Sequence, residues 1–86
     1  MSSEMKFREQ NIRVATVFEP GGKIRPVWFA WKREKHTILE TTYAWEGRRG
    51  TARLLHFAVR DPGGMYELTY DTSDLTWCLE GLEPTP

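Results

Sequence analysis

The sequence contains little of what usually identifies a protein class. Cys78 is its only cysteine, which excludes an intramolecular disulfide and a zinc site built from four cysteines of one chain. No run of about 18 apolar residues occurs, so we expect no membrane-spanning helix. The first residues, Met1–Lys6, lack the apolar segment of a secretion signal. These absences predict a cytoplasmic protein without a membrane partner.

An excess of one charge is missing as well. Twelve Lys and Arg balance twelve Asp and Glu, and the formal net charge of zero excludes the strongly basic balance of a dedicated nucleic-acid binder. No stretch carries an apolar stripe of helical period over three turns, which excludes a helical fold. The 86 residues suffice for one domain.

What the sequence does contain is the alternation of β-strands. Apolar and β-branched residues alternate from residue 11 onward, and clusters of Pro, Gly, Asp and Ser interrupt them. This pattern predicts six strands, Ile12–Phe18, Val27–Trp31, His36–Trp45, Thr51–Arg60, Met65–Tyr70 and Leu75–Leu79. We predict an all-β fold: one small antiparallel meander of five to six strands, curled into a partly open barrel. We expect residues 1–10 to form a loosely ordered tail, residues 11–82 the β-domain, and residues 83–86 a C-terminal tail.

The hairpins place the expected core on one face of the meander. A turn through residues 61–64 sets Phe57 opposite Leu68, and a turn through residues 71–74 sets Leu68 opposite Trp77. A five-residue loop over residues 46–50 adds Tyr43 and Trp45 to the same core face. We therefore assign these aromatic residues to packing.

The second strand has two possible registers. A four-residue loop after Trp31 turns Trp28 and Ala30 inward, whereas a three-residue loop turns Val27, Phe29 and Trp31 inward. The second register buries more apolar area and is preferred. It leaves Trp28 on the outer surface.

Charge is zoned along the chain although the total is zero. Residues 23–60 contain nine basic and three acidic residues, whereas residues 61–86 contain six acidic and no basic ones. The two zones either meet and stabilise the fold, or the basic zone attracts phosphate or carboxylate groups. The candidate binding surface consists of basic residues and one tryptophan, Lys23, Arg25, Trp28, Lys32, Arg33, Arg48, Arg49 and Arg53. On a simple meander their loops lie at opposite ends, so a continuous stripe requires Arg53 with Lys23 or Arg25 as a bridge.

Residues suited to catalysis or metal binding are few. His36 and His56 share an outward parity, opposite Arg60 and Glu40 respectively, but they spread over about 13 Å of strand, too far for one zinc ion. Cys78 has no base placed to activate it. We predict no enzyme activity, no cofactor and no metal.

Several short motifs resemble a known family. They are Pro26–Arg33 with its Phe-x-Trp strand and basic turn, Trp45, the Gly-x-Tyr-x-Leu strand at Gly64–Leu68, and the closing Trp77. They resemble a family of small uncharacterised bacterial all-β domains, over about residues 24–80. Some members are associated with lesion-bypass polymerase cassettes, which implies a DNA-damage context. Glu34 and His36 depart from the family, where Gly and Tyr are common, and the resemblance implies no catalytic residue.

Two functional hypotheses follow from the sequence. Ile38, Leu54 and Ala58 are apolar at outward parity, which predicts a non-enzymatic interaction module that docks a protein partner or self-associates around Trp28, Ile38 and Leu54. The alternative is single-stranded nucleic-acid binding through the basic residues and Trp28.

Overall fold

The computed structural model describes the backbone of residues 4–84 and the side chains of residues 8–81. Seven strands occur: β1 (Glu4–Glu19), β2 (Lys23–Trp31), β3 (Glu34–Thr37), β4 (Glu40–Arg49), β5 (Ala52–Asp61), β6 (Gly64–Asp71) and β7 (Thr76–Pro84). They form one sheet in the order β3-β2-β1-β7-β6-β5-β4, and every neighbouring pair is antiparallel. The predicted all-β antiparallel meander is confirmed, with seven strands rather than five to six.

The sheet curls because one connection joins its two edges. The backbone N–H of Ile38 donates to the carbonyl of Val27 in β2 at 3.1 Å, and the N–H of Leu39 donates to the carbonyl of Arg60 in β5 at 2.8 Å. The chain thus leaves one edge of the sheet as β3 and enters the other edge as β4, which bends the sheet into a half-barrel. The single strand predicted over His36–Trp45 is wrong, because its two halves pair with different neighbours.

β1 is longer than the sequence predicts and serves two neighbours. Residues 4–10 and Ile12 pair with β7, and residues 13–19 pair with β2. Asn11, with φ of 57°, lies between the two segments, where the register against β7 shifts. The tail expected over residues 1–10 is therefore strand from Glu4 onward, because β7 offers it a partner as far as Pro84. Residues 1–3 and 85–86 lie outside the described chain.

The core lies on the concave side of the half-barrel. Its buried members are Phe29, Phe57, Val59, Leu68, Tyr70, Trp77 and Leu79. The predicted pairing of Phe57 with Leu68 is confirmed. Leu68, however, pairs with Leu79 rather than Trp77, because Leu75 belongs to the turn and not to β7. The shift of two residues keeps the same side chains on the core face.

The preferred orientation of β2 is confirmed. Phe29 is fully buried and Trp31 packs against the core. The turn is shorter than predicted, since Trp31 pairs with Glu34 across Lys32 and Arg33. Both turn residues have positive φ, 53° and 65°, as a type I′ turn requires.

The hairpin of β4 and β5 has a different turn from the predicted one. Arg49 pairs with Ala52, which leaves Gly50 and Thr51 as a two-residue loop, and Gly50 has φ of 61°. A glycine in this conformation at the first loop position is typical of a type II′ turn. The five-residue loop predicted over residues 46–50 is therefore wrong, and with it the core position of Tyr43 and Trp45.

Candidate functional site

β4 is an edge strand that is open on one side. Within the part of the chain described, it has one strand neighbour, β5. Every residue of β4 is exposed except Gly47, which is half-buried. Ten residues of extended chain therefore line one border of the half-barrel.

The hairpin turn determines which backbone groups of β4 are free. In a two-residue hairpin the pair that flanks the turn exchanges both hydrogen bonds, and the pairs then alternate. Arg49 is such a flanking residue, and the ladder is regular back to Tyr43. The N–H and C=O groups of Ala44, Glu46 and Arg48 consequently point away from β5. Together these three residues and their backbone groups form what we call the β4 edge.

The β4 edge has only part of the usual protection against strand addition, namely a bulge between Thr41 and Tyr43 and the charged side chain of Glu46 on its concave side. Natural edge strands are short, or carry lysine, proline or a covering element. The opposite edge, β3, has four residues and includes Lys35. By contrast, Thr41–Trp45 contains neither charge nor proline. An edge of this kind accepts an extended chain as a further strand.

Aromatic rings cover the convex face beside this edge. Tyr43 is 66% exposed and Trp45 36% exposed, and their ring centroids are 5.4 Å apart. Trp45 stacks on His56 of β5 at 5.0 Å with 7° between the ring planes. The Nδ1 atom of His56 lies 3.2 Å from Oε2 of Glu67 and 3.1 Å from Oγ1 of Thr69, which orients the ring. We call Tyr43, Trp45 and His56 the aromatic row.

Gly47 makes room for the aromatic row. A Cβ atom at this position would lie 2.9 Å from Nε2 of His56. Only glycine allows the imidazole to lie over the strand and under Trp45. Sequence reasoning missed the row, and the signal that could have revealed it was the Gly50-Thr51 turn.

The concave side of β4 carries a charged pair. Arg53 donates from Nε and Nη2 to the two carboxylate oxygens of Glu46, at 2.8 and 3.2 Å. Hydrogen bonding from Arg53 holds the pKa of Glu46 below its ordinary value, and Glu46 in turn raises the pKa of Arg53. Because both groups are exposed, the pair positions side chains more than it stabilises the fold.

The predicted basic residues separate into three groups. Lys23 and Arg25 begin β2, whereas Lys32 and Arg33 follow its last residue, about 26 Å away along the strand. The third group, Arg48, Arg49 and Arg53, lies at the β4–β5 hairpin, and β1, β7 and β6 separate β5 from β2 in the sheet order.

Several residues of the predicted basic binding surface form ion pairs or are partly buried. Arg25 pairs with Glu19 at 3.2 Å, and Arg53 pairs with Glu46. Trp28 is half-buried, with Nζ of Lys35 5.1 Å from its ring centroid.

The apolar patch expected around Trp28, Ile38 and Leu54 is not formed. Ile38 packs against the core, and Leu54 is only 6% exposed. Ile38 turns inward because it follows β3 at the corner where the sheet edges meet. Exposed large apolar side chains lie at other positions, namely Phe18, Leu39, Tyr43, Trp45, Met65 and Leu75.

The prediction that the two histidines share a face is wrong. His36 pairs with Phe29 and therefore points to the concave side, where it stacks on that ring at 4.9 Å. Its Nδ1 atom lies 2.7 Å from Oδ2 of the buried Asp61. His56 pairs with Trp45 rather than Glu40.

Cys78 lies in line with His56 on the convex face. His56 pairs with Thr69, which pairs with Cys78, so two strand spacings, about 10 Å, separate the histidine from the cysteine. That distance is too long for direct proton transfer between them. Among the residues described, no group of three or more His, Cys, Asp or Glu side chains is placed to hold a metal ion.

Comparisons add no identity to this site. No protein-family model, curated protein or solved structure matches the chain. Over the described residues, no helix has the length and apolar character needed to span a membrane. The resemblance to small bacterial all-β domains therefore stays a prediction.

Proposed function

We propose that this protein is a non-enzymatic interaction module that docks an extended protein segment as an additional antiparallel strand on β4. The observation that carries the proposal is the β4 edge, whose outward N–H and C=O groups lie on a strand exposed over nearly its whole length. Backbone pairing supplies affinity in such complexes, and side-chain pairing supplies specificity. We place the module in the cytoplasm, as its single cysteine suggests.

The side chains around the edge describe the strand that fits it. On the convex face, Tyr43 and Trp45 favour apolar or aromatic residues directly opposite them. At the hairpin end, Arg48 and Arg49 favour acidic residues. The expected partner strand is therefore amphipathic, with an apolar centre and an acidic end.

Single-stranded nucleic acid is the second candidate ligand. Tyr43 and Trp45 are exposed rings on which bases can stack, and Arg49 follows them on the same face of β4. The dispersed basic residues and the ion pairs of Arg25 and Arg53 weigh against it. We therefore rank it below protein docking.

An NMR titration at low protein concentration tests the proposal. The probe is a ten-residue peptide of alternating valine and threonine, with glutamates at the end that would lie beside Arg48 and Arg49. Docking shifts the amide signals of Ala44, Glu46 and Arg48 and slows their hydrogen exchange. The same peptide, N-methylated on its pairing side, is the control and leaves these signals unchanged.

A second titration uses a mixed-sequence single-stranded oligonucleotide at low and physiological salt. Under protein docking it leaves tryptophan fluorescence unchanged at both salts. Saturable quenching that weakens steeply with salt, together with no response to the peptide, would replace protein docking with nucleic-acid binding. No response to either probe from a monomeric chain would reject both functions.

A further inference from the structure

We propose that the strand received by the β4 edge is β4 of a second copy, so that two half-barrels join into one continuous sheet around a two-fold axis. The inference rests on the proposed function and adds the identity of the partner. An isologous interface of this kind requires a surface that is complementary to itself. The sequence of β4 meets that requirement in one register.

The register places Ala44 on the two-fold axis. Tyr43 then lies directly opposite Trp45 of the second copy, and Trp45 lies opposite Tyr43 of the second copy. Side chains at these positions project on the convex face, next to the existing Tyr43–Trp45 contact at 5.4 Å. Both are non-hydrogen-bonded positions toward the new strand, where opposing side chains come closest. The four rings form one cluster and cover the largest exposed aromatic surface of β4.

The residue on the axis must be small and uncharged, because it faces its own copy. Ala44 is both, and its outward N–H and C=O groups pair with those of Ala44 in the second copy. Moving the axis to Glu46 would instead oppose two carboxylates. With Ala44 on the axis, Glu46 is opposite Thr42 of the second copy, and the bulge between Thr41 and Tyr43 turns Glu40 to the convex face, away from Arg48 on the concave face. Like charges are therefore kept apart along the ladder.

Two properties of the whole molecule favour a second copy over an unrelated strand. The formal net charge of zero leaves no long-range repulsion between copies. The competing edge, β3, has four residues and ends where Ile38 closes the corner of the sheet. β4 is thus the longer and less protected of the two borders.

Sedimentation velocity over a range of protein concentrations is the first test. We expect a mass of two chains that dissociates on dilution. Ala44→Pro removes the outward N–H without breaking a bond to β5 and should give a mass of one chain. Ala44→Val keeps the N–H and is the matched control, which should retain the two-chain mass. Far-ultraviolet circular dichroism checks that each variant is folded.

Disulfide trapping tests the register and does not depend on the proline variant. In a Cys78→Ser background, Ala44→Cys brings two cysteines to a hydrogen-bonded antiparallel pair, with Cα atoms about 5.5 Å apart, within disulfide range. Oxidation should link this variant into covalent dimers. Glu46→Cys in the same background lies on the same face two residues away and should remain unlinked.

Three results would overturn the inference: a one-chain mass at every concentration, a two-chain mass that Ala44→Pro leaves unchanged in a folded protein, or equal linking of both cysteine variants. A chain that stays monomeric yet binds the peptide probe on β4 would reject the second copy and retain the docking function. Monomeric chains that also fail to bind the peptide would reject both.

Discussion

Replacing Asp61 with alanine should cost the protein much of its stability. The Asp61 side chain is buried, with the residue 5% exposed, and it accepts three hydrogen bonds. Oδ1 accepts from the backbone N–H groups of Gly63 and Gly64, both at 2.8 Å, and Oδ2 lies 2.7 Å from Nδ1 of His36. One carboxylate therefore shapes the β5–β6 turn and ties it to β3 at the other end of the sheet order.

The size of the expected loss in stability follows from the hydrogen-bond donors that lose Asp61 as their acceptor. Removing the carboxylate leaves the largely buried Nδ1 atom of His36 without its hydrogen-bond partner, which costs about 1 to 3 kcal/mol. The turn amides of Gly63 and Gly64 add little, because Gly63 is exposed to water and Gly64 is half-buried. We expect a loss of about 2 to 3 kcal/mol in the free energy of unfolding. Typical domains are stable by only about 5 to 15 kcal/mol, so this loss is a large part of the total stability.

Urea unfolding followed by tryptophan fluorescence measures this loss. Asp61→Asn keeps an acceptor for the turn amides and an amide group next to His36, so its loss should be about half as large. Asp74→Ala removes an exposed turn carboxylate that accepts from Thr76, and it should change the free energy of unfolding by less than about 1 kcal/mol. If Asp61→Ala were no more destabilised than Asp74→Ala, the buried pair would not hold the two ends of the half-barrel together.

Three further predictions concern other sites. Gly47→Ala should destabilise the fold by about 1 to 3 kcal/mol, because the new Cβ displaces the imidazole of His56. Thermal unfolding measures this loss, and the same substitution in a His56→Ala background should have a much smaller effect. Arg33→Gly should stabilise by about 1 kcal/mol in the same assay, since φ of 65° favours glycine, whereas Lys35→Gly within β3 should destabilise. Hydrogen bonds from Ser73 hold the pKa of Asp71 below its ordinary 3.8, so this carboxylate stabilises the fold above that pH, and the contribution is lost as pH falls through the lower folded value. Asp71→Asn should therefore flatten the acid limb of stability against pH, and an unchanged limb would contradict the assignment.

The β5–β6 hairpin could be predicted from the sequence because the position of its turn is unambiguous. Asp61-Pro62-Gly63-Gly64 combines a fixed φ, two glycines and a capping carboxylate, and the pairing of Phe57 with Leu68 follows from it. The inward orientation of Phe29 was equally predictable, since the alternative register buried less apolar area.

The site could not be predicted because the turn between β4 and β5 is ambiguous in the sequence. The segment before Ala52 offers glycine at both Gly47 and Gly50, and only the second of these forms the turn. A loop over residues 46–50 predicts that Tyr43 and Trp45 lie in the core, whereas the shorter turn places them on the convex face. His36 differs for a related reason, because its face depends on pairing with Phe29 of β2, whereas alternation relative to β5 predicts an outward position.

The pairing of β1 with β7 has a consequence for the order of folding. Glu4 lies beside Pro84, so this ladder joins positions 80 residues apart, whereas each hairpin joins neighbours in the chain. Closing so long a loop costs entropy that local contacts must first offset. We expect β1–β3 and β4–β7 to form as two separate meanders and the β1–β7 seam to close last. A seam that closes late leaves the flanking strands exposed to other chains during folding, and the speed of this one step then limits how much newly made protein reaches the native state.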